Sequence, residues 1–151
     1  MSGHRANAGR RPGFTLLEMM VVVAIVATLA TLALPSYAAY VTRSRILEAV
    51  ARLSDARMRM EEYFLDERTY LNDARECGAP PPPAGAADAF TVTCTATATT
   101  FTYTATGLAA RGMNGFVYTI DQAGAKATSG APGGWSTSAD CWTLRADGLC
   151  S

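Results

Sequence analysis

The apolar residues divide the chain into a continuous apolar run, an amphipathic stretch and an alternating region. From Met19 to Thr42 there are 24 residues without a charge. Roughly 20 apolar residues in a helix cross the core of a bilayer, so this run is long enough to span a membrane. Pro35 interrupts the run and predicts a kink, because the helical pattern resumes after it.

The stretch that follows, residues 43–66, predicts an amphipathic continuation of the same helix. Its apolar side chains recur at spacings of three and four residues and therefore share one face. They are Ile46, Ala49, Val50, Leu53, Ala56, Met60 and Phe64. On the exposed side, Glu48 is expected to pair with Arg52, and Asp55 with Arg59. The two halves predict one helix much longer than the ~11 residues usual in globular proteins.

After a proline-rich loop, the pattern becomes that of β-strands. Four consecutive prolines, Pro80–Pro83, exclude a helix or a central strand at that point. Beyond them apolar residues alternate with residues that are mostly threonine, as in half-buried antiparallel strands. The alternating segments are residues 90–95, 101–106 and 116–120, and turn signals follow at residues 121–124, 130–134 and 147–148.

Charge is distributed unevenly along the chain. The first 13 residues carry Arg5, Arg10 and Arg11 and no acid, whereas the whole chain has a formal net charge of zero. A short basic leader before an apolar run is typical of an insertion signal that stays in the cytoplasm. The balanced composition excludes a strongly basic nucleic-acid-binding chain. We expect no enzyme, because the one histidine, His4, lies in the leader and no nucleophile elbow or phosphate loop is present.

The four cysteines, Cys77, Cys94, Cys141 and Cys150, all follow the apolar run. An even number of cysteines in an exported domain predicts two disulfides formed in an oxidising compartment. No C-x-x-C spacing is present, so zinc binding is poorly supported, and we expect neither a metal nor a cofactor. Three pairings are allowed, and we favour Cys77–Cys94 with Cys141–Cys150 because each pair is local.

Residues 11–18, with the sequence RPGFTLLE, resemble the class III N-terminal signal of type IV pilins. A leader ending in glycine is followed by an aromatic residue, by an acid five residues into the mature chain, and by the apolar run. Residues 61–70 and the C-terminal sequence from Gly115 onward resemble PilE-type pilins. The resemblance implies an α+β fold, in which a long N-terminal helix packs on an antiparallel sheet of about four strands.

The resemblance also implies how the chain is processed, inserted into a membrane and assembled. A prepilin peptidase would cut between Gly13 and Phe14 and methylate the new amine of Phe14. The subunit would wait in the inner membrane as a single-pass protein with its C-terminal domain in the periplasm. An inner-membrane assembly platform would then move it into an extracellular filament of pilin subunits. The implied segments are a leader (1–13), a transmembrane and filament-core segment (14–42), an amphipathic helical segment (43–66) and an exported β-sheet domain (67–151).

Glu18 is the one acid at the border of the apolar segment. A carboxylate in a membrane costs roughly 2.5–3.5 kcal/mol at mid-depth and less near an interface. Its simplest interpretation is an interfacial residue whose carboxylate reaches water. We favour a role in assembly, with the α-amine of Phe14 in a neighbouring subunit as the partner, because that amine is mostly cationic at neutral pH.

The resulting hypothesis is a structural subunit of a type IV pilus, of the minor pilin type, serving motility, adhesion or DNA uptake. One alternative is a type II secretion pseudopilin, which a cluster of calcium-binding acids near the C-terminus would have favoured. Another is a pilin-like receptor for DNA. Residues 67–151 carry five basic and seven acidic residues, which is unfavourable for phosphate binding. Trp135 and Trp142 are expected to pack near the C-terminal disulfide loop rather than to bind sugar.

Overall fold

The computed structural model describes residues 13–150, apart from the side chains of residues 32–36. The chain divides into two compact units, with the boundary between Ala38 and Ala39. The regular elements are helix α1 (Leu16–Glu67), strands β1 (Phe90–Ala96), β2 (Phe101–Gly107), β3 (Val117–Asp121) and β4 (Lys126–Gly130), and a short 3-10 helix at Ala109–Arg111.

The N-terminal unit consists of the first part of α1 and the residues that lead into it. The helix is predominantly apolar here, as the sequence predicted. Within the described residues, no helix combines the length and the hydropathy that crossing a bilayer requires. The predicted transmembrane segment 14–42 is therefore not shown. The leader up to residue 12 lies outside the described residues, and the kink expected at Pro35 stays a prediction.

The C-terminal unit packs the amphipathic part of α1 against a four-stranded sheet. The strands are antiparallel and lie in the order β1-β2-β3-β4, so every connection is local. The predicted apolar face of the helix is confirmed, since six of its seven residues are buried: Ile46, Ala49, Val50, Leu53, Ala56 and Met60. The predicted α+β fold is therefore confirmed, with four strands in its sheet.

Alternation along the strands places aromatic residues inside and threonines outside. Phe101, Tyr103 and Tyr118 are buried between the sheet and the helix. Burial raises the pKa of the Tyr103 hydroxyl to about 12, and that hydroxyl donates to the carbonyl of Ala79. On the outer face the threonines lie opposite one another across the ladder, with Thr93 paired to Thr104. The outer face of the sheet is thus uncharged over most of β1 and β2.

Strand β4 is the element that the alternating pattern did not predict. Its sequence, KATSG, contains no large apolar residue, so it gives little strand signal. A buried polar network fixes it instead: the Thr128 hydroxyl donates to the carbonyl of Cys141 (3.0 Å) and accepts from the amide of Thr143 (2.8 Å). The network ties the C-terminal loop to the outer edge of the sheet.

Of the two ion pairs predicted on the exposed surface of the helix, the structure contains one. Asp55 and Arg59 form an ion pair at 2.8 Å, as predicted. The predicted pair of Glu48 with Arg52 is wrong, because Arg52 turns to the loop before β1 and binds Asp88 at 2.6 Å. The same guanidinium donates to the carbonyls of two residues of the proline run, Pro82 (3.3 Å) and Pro83 (3.1 Å). Arg52 thus binds several acceptors of a loop distant in the chain and not the predicted neighbour Glu48 on its own helix.

The ionisation of Asp88 makes the stability of this loop depend on pH. The amide of Gly85 donates to its carboxylate, and together with the Arg52 guanidinium it lowers the pKa of Asp88 below the ordinary 3.8. A carboxyl whose pKa is lowered on folding stabilises the fold above its ordinary pKa. That stabilisation is lost as the pH falls through the lowered value.

We therefore expect Asp88→Asn to lower the urea midpoint of the C-terminal unit at pH 7. The difference from the unaltered chain should shrink as the pH falls below 3.8 and vanish once Asp88 is protonated. Urea unfolding of the detergent-solubilised chain at several pH values measures this. Asp55→Asn is the matched control, because its pair with Arg59 lies on an exposed helix surface and contributes little. A difference that persists unchanged at low pH would contradict the expectation.

Candidate functional site

The predicted processing segment lies at the start of the described chain. Gly13 is exposed, and a β-carbon added to it would meet no atom within 4 Å. The fold itself therefore does not require glycine here. Phe14 follows with 71% of its surface exposed, although a phenyl ring is usually buried. The proposed cleavage bond is thus accessible on both sides.

Thr15 and Glu18 form the start of α1 together. The Thr15 hydroxyl accepts a hydrogen bond from the amide of Glu18 at 3.2 Å, which is the contact of a helix N-cap. Threonine followed three residues later by glutamate is the sequence of a capping box, a signal that the sequence analysis overlooked. A carboxylate in the first turn also interacts favourably with the helix dipole. Glu18 therefore has a local role besides any role in assembly.

Beyond this cap, the helix exposes apolar side chains on every side. From Leu16 to Leu29 the large apolar residues are between 45% and 78% exposed, and seven of them are consecutive or nearly so: Leu16, Leu17, Met19, Met20, Val21, Val22 and Val23. Consecutive residues in a helix point in directions about 100° apart, so no face is polar. A surface of this kind is stable only when lipid or protein covers it.

The cysteines of the C-terminal unit lie in two bonded pairs, which are the local pairs favoured from the sequence. Cys77 is joined to Cys94, and Cys141 to Cys150, with Cα–Cα distances of 6.3 and 5.6 Å. The first pair ties the loop after α1 to strand β1. The second closes a loop that ends in a short bridge between Thr143 and Cys150. The first disulfide thus fastens an irregular segment to the sheet, and the second closes the C-terminal loop on itself.

The two tryptophans differ in their surroundings. Trp142 is buried, donates from its indole nitrogen to the carbonyl of Thr119 (2.8 Å) and lies under the Lys126 ammonium. Its predicted packing role is confirmed. Trp135 packs edge-on against Phe116 at a centroid distance of 4.8 Å but is only half-buried. Its exposed part is available to a ligand or a partner.

Trp135 forms one wall of a groove, which we call the aromatic–arginine groove. Its volume is about 420 Å³, and its principal lining residues are Tyr40, Arg43, Trp135, Leu144 and Arg145. In the described part of the chain, neither arginine forms an ion pair. The buried Nε of Arg43 also has no hydrogen-bond partner there. The groove therefore presents two unpaired cations beside aromatic rings.

Sequence reasoning did not find this groove, because its residues are distant in the chain. Arg43 belongs to α1 and so falls outside the 67–151 segment whose charges were counted. Asp147 also lines the groove, but its carboxylate accepts from the amide of Leu149 at 3.2 Å. The net charge of the groove is positive, although that of the 67–151 segment is negative.

Comparison with known families shows the family to which the chain belongs. Residues 35–115, more than half of the chain, match the family described as "Type IV minor pilin ComP, DNA uptake sequence receptor". The chain belongs to this family of type IV minor pilins. Residues 9–34 match the prokaryotic N-terminal methylation motif, which includes Gly13, Phe14 and Glu18. The predicted membership of the type IV pilins, as a minor pilin, is confirmed.

Individual relatives are pilins of Gram-negative bacteria. The chain is similar to the type IV major pilin protein PilE of Neisseria gonorrhoeae, with 38% identity over 44% of this chain and 40% of that one. It is also similar to the fimbrial protein EcpC of Eikenella corrodens, with 34% identity over 44% and 43%. The chain spans less than half the length of these relatives. No solved structure matches it with comparable significance.

Membership of this family makes the chain a pilin of the type IV pilus system. The type II secretion pseudopilin, considered above as an alternative, is not favoured by these matches. The family description also includes recognition of DNA uptake sequences.

Proposed function

We propose that this minor pilin is made as a membrane-anchored precursor that is cut after Gly13 and methylated on Phe14. It is then assembled through residues 14–42 into a helical pilus filament, or primes one. A prepilin peptidase would carry out the first two steps. An inner-membrane platform would transfer the subunit to the filament, and residues 67–151 would lie on the filament surface. The match of residues 9–34 to the methylation motif supports the processing.

The observation that carries this proposal is the apolar surface of α1 between Leu16 and Leu29. About 25 cal/mol is gained for each Å² of apolar surface removed from water, so a helix that is apolar on all sides strongly favours burial. Lipid chains provide that burial before assembly, with residues 67–151 on the periplasmic side. Neighbouring helices provide it in the filament. The same surface thus serves the precursor and the filament.

Processing is tested by the mass of the mature chain. We expect intact-mass analysis of membrane-fraction protein from the native host to show loss of residues 1–13 and gain of one methyl group on Phe14. Gly13→Val should block cleavage, and because a β-carbon at Gly13 meets no neighbour, the block would not come from misfolding. A mature chain that begins at Met1, or after Ala38 or Ala39, would refute the proposed processing.

Glu18 has two separable roles in this proposal. Its position in the first turn favours the helix through the dipole and the capping sequence. Its charge would pair with the Phe14 amine of a neighbouring subunit once both enter the low-dielectric interior of the filament. The pair would also set the axial register, because apolar helices otherwise slide along one another at little cost. Glutamine retains the backbone amide that Thr15 caps and the shape of the side chain, but not the charge.

We expect Glu18→Gln to reduce incorporation into sheared filaments by roughly tenfold or more, because the charge pair is lost. Glu18→Val should reduce it at least as much, while both variants are cleaved and accumulate normally in the membrane fraction. Thr15→Ala is the matched control, since it removes the N-cap and leaves the charge. Immunoblots of membrane and shear fractions, with total piliation scored in parallel, measure the effect. Normal incorporation of Glu18→Gln would show that the charge has no role.

A second function, DNA binding, is favoured by the aromatic–arginine groove. The family match describes a receptor for DNA uptake sequences. Unpaired arginines bind phosphates and release condensed counterions, and aromatic rings such as those of Tyr40 and Trp135 can stack on bases. Arg43 and Arg145 flank the groove on two different elements. We therefore assign the groove as the DNA contact of this subunit.

The double variant Arg43→Ala/Arg145→Ala should bind a short labelled DNA duplex more weakly than the unaltered chain. Two lost phosphate contacts should make the slope of log affinity against log salt shallower by about two. Fluorescence anisotropy of the detergent-solubilised chain over a salt series measures both quantities. Arg59→Ala is the matched control, because Arg59 is already paired with Asp55. An unchanged affinity and slope in the double variant would exclude the groove as the DNA site.

A further inference from the structure

Four arginines of the C-terminal unit lie around α1 at the point where the uncharged run of the sequence ends. The run ends at Thr42, and Arg43 and Arg45 are the first charges after it. Residues two apart in a helix point about 200° apart, so these two arginines project on opposite sides of α1. Arg145 joins Arg43 in the aromatic–arginine groove, and Arg111 contacts Arg45. We call these four residues the arginine collar.

The collar retains a net positive charge. Among the residues that the structure describes, none of its four arginines forms an ion pair with an acid. Arg45 donates to the carbonyl of Arg111 at 2.5 Å, and the Arg111 guanidinium donates to the carbonyl of Ala86. Carbonyls carry no net charge, so these contacts position the guanidiniums without neutralising them. Only two acids accompany the collar, Asp147 in the groove and Glu48 three residues after Arg45 on α1.

The length of the uncharged run sets the level of the collar in the proposed membrane-anchored precursor. As a helix, its 24 residues measure about 36 Å, whereas the hydrocarbon core of a bilayer is about 30 Å thick. The end of the run would therefore extend into the headgroup layer, with the collar immediately beyond it. Tyr40 and Trp135, the aromatic residues of the groove, are of the types enriched at this level of membrane proteins.

The arginines after the run oppose the ordinary signal for membrane orientation. Short segments beside a membrane helix carry an excess of arginine and lysine on the cytoplasmic side. The proposed cytoplasmic leader has three arginines, but Arg43 and Arg45 follow within three residues of the run on the proposed exported side. They therefore weaken the signal. An attraction to anionic lipid on the exported side would offset that cost.

The groove contains the groups that a phospholipid headgroup requires. The buried Nε of Arg43 has no hydrogen-bond partner in the described part of the chain, and a phosphate oxygen is a suitable acceptor for it. Arg145 supplies a second cation on the other side of the groove. The rings of Tyr40 and Trp135 offer apolar contact to the glycerol and the first carbons of the acyl chains.

We propose that the arginine collar binds the phosphates of anionic phospholipids while the precursor is in the membrane, and that one such headgroup occupies the aromatic–arginine groove. The inference rests on the proposed membrane anchoring and on the proposed DNA contact in the same groove. Lipid and DNA both present a phosphate to Arg43 and Arg145. Bound lipid therefore excludes DNA until the subunit leaves the bilayer for the filament.

The lipid contact is measured on the full chain in nanodiscs of phosphatidylcholine. A small proportion of the lipid carries a nitroxide close to its headgroup, on phosphatidylglycerol in one preparation and on phosphatidylcholine in the other. A nitroxide quenches the fluorescence of the half-buried Trp135 on contact, whereas the buried Trp142 is shielded. We expect the labelled phosphatidylglycerol to quench roughly twofold more or better, because the collar concentrates anionic lipid around the chain.

Variants test whether the collar causes this preference. Arg43→Ala/Arg145→Ala should abolish the preference for the anionic lipid. Arg43→Lys/Arg145→Lys should retain most of it, since the interaction requires the charge. Arg59→Ala is the matched control, because Arg59 is paired with Asp55 and lies about 24 Å further along α1, beyond the range of screened electrostatic interactions.

The exclusion of DNA is measured with the short labelled duplex described above. Its affinity should be roughly tenfold or more lower in discs that contain unlabelled phosphatidylglycerol than in neutral discs. An anionic disc also repels DNA in general. The double alanine variant measures that repulsion alone, so its affinity should fall much less. Inorganic phosphate added to neutral discs, against chloride at equal ionic strength, should not release DNA, because nothing concentrates it at the collar.

The possible failures are distinguishable. Equal quenching by the two labelled lipids, or a preference that survives Arg43→Ala/Arg145→Ala, would overturn the lipid contact. An equal loss of DNA affinity in the double variant, or release of DNA by inorganic phosphate, would overturn the exclusion. A chain that does not enter the discs would refute the proposed anchoring and this inference together. Normal DNA binding by the double variant in neutral discs would refute the DNA contact and the exclusion, and the quenching then decides the lipid contact by itself.

Discussion

The burial of the apolar helix surface between Leu16 and Leu29 is the requirement on which the rest of this molecule depends. The side chains of that segment are exposed in the isolated chain, and no polar face turns any part of it toward water. An apolar surface of this size is normally covered, and in the proposed function lipid covers it first and neighbouring subunits afterwards. The amphipathic continuation of α1 has a different requirement, since its own sheet already buries its apolar face. In the proposed function, one helix thus combines a half that packs against other molecules with a half that packs against its own sheet.

The C-terminal unit is stabilised independently of that requirement. The Cys77–Cys94 disulfide, the Arg52–Asp88 pair and the Thr128 network fasten its irregular segments to the helix and the sheet. The Cys141–Cys150 disulfide closes the C-terminal loop. Because these contacts are internal, the outer face of the sheet and the open side of the aromatic–arginine groove remain accessible. Accessible surfaces of this kind are where ligands and partners can bind.

The sequence was most informative where periodicity and local spacing determine structure. The buried face of α1 and three of the strands follow directly from spacings of three, four and two. Strand β4 was missed because KATSG is held by a polar network rather than by large apolar residues. Arg52 was assigned to Glu48 because local pairing ignores a loop that approaches from elsewhere. The groove was missed because Arg43 and Arg145 meet only in the folded chain.

The most direct measurement of the central claim is to identify what covers Val23 in an assembled pilus. A photo-crosslinking amino acid is placed at Val23, whose side chain is 64% exposed, and at Thr104 on the outer face of the sheet as a comparison. After irradiation in the native host, sheared filaments are analysed for covalent adducts. The account predicts an adduct between two pilin subunits from position 23 and little from position 104. Filaments that contain the Val23 variant but yield no pilin adduct from it would contradict the account.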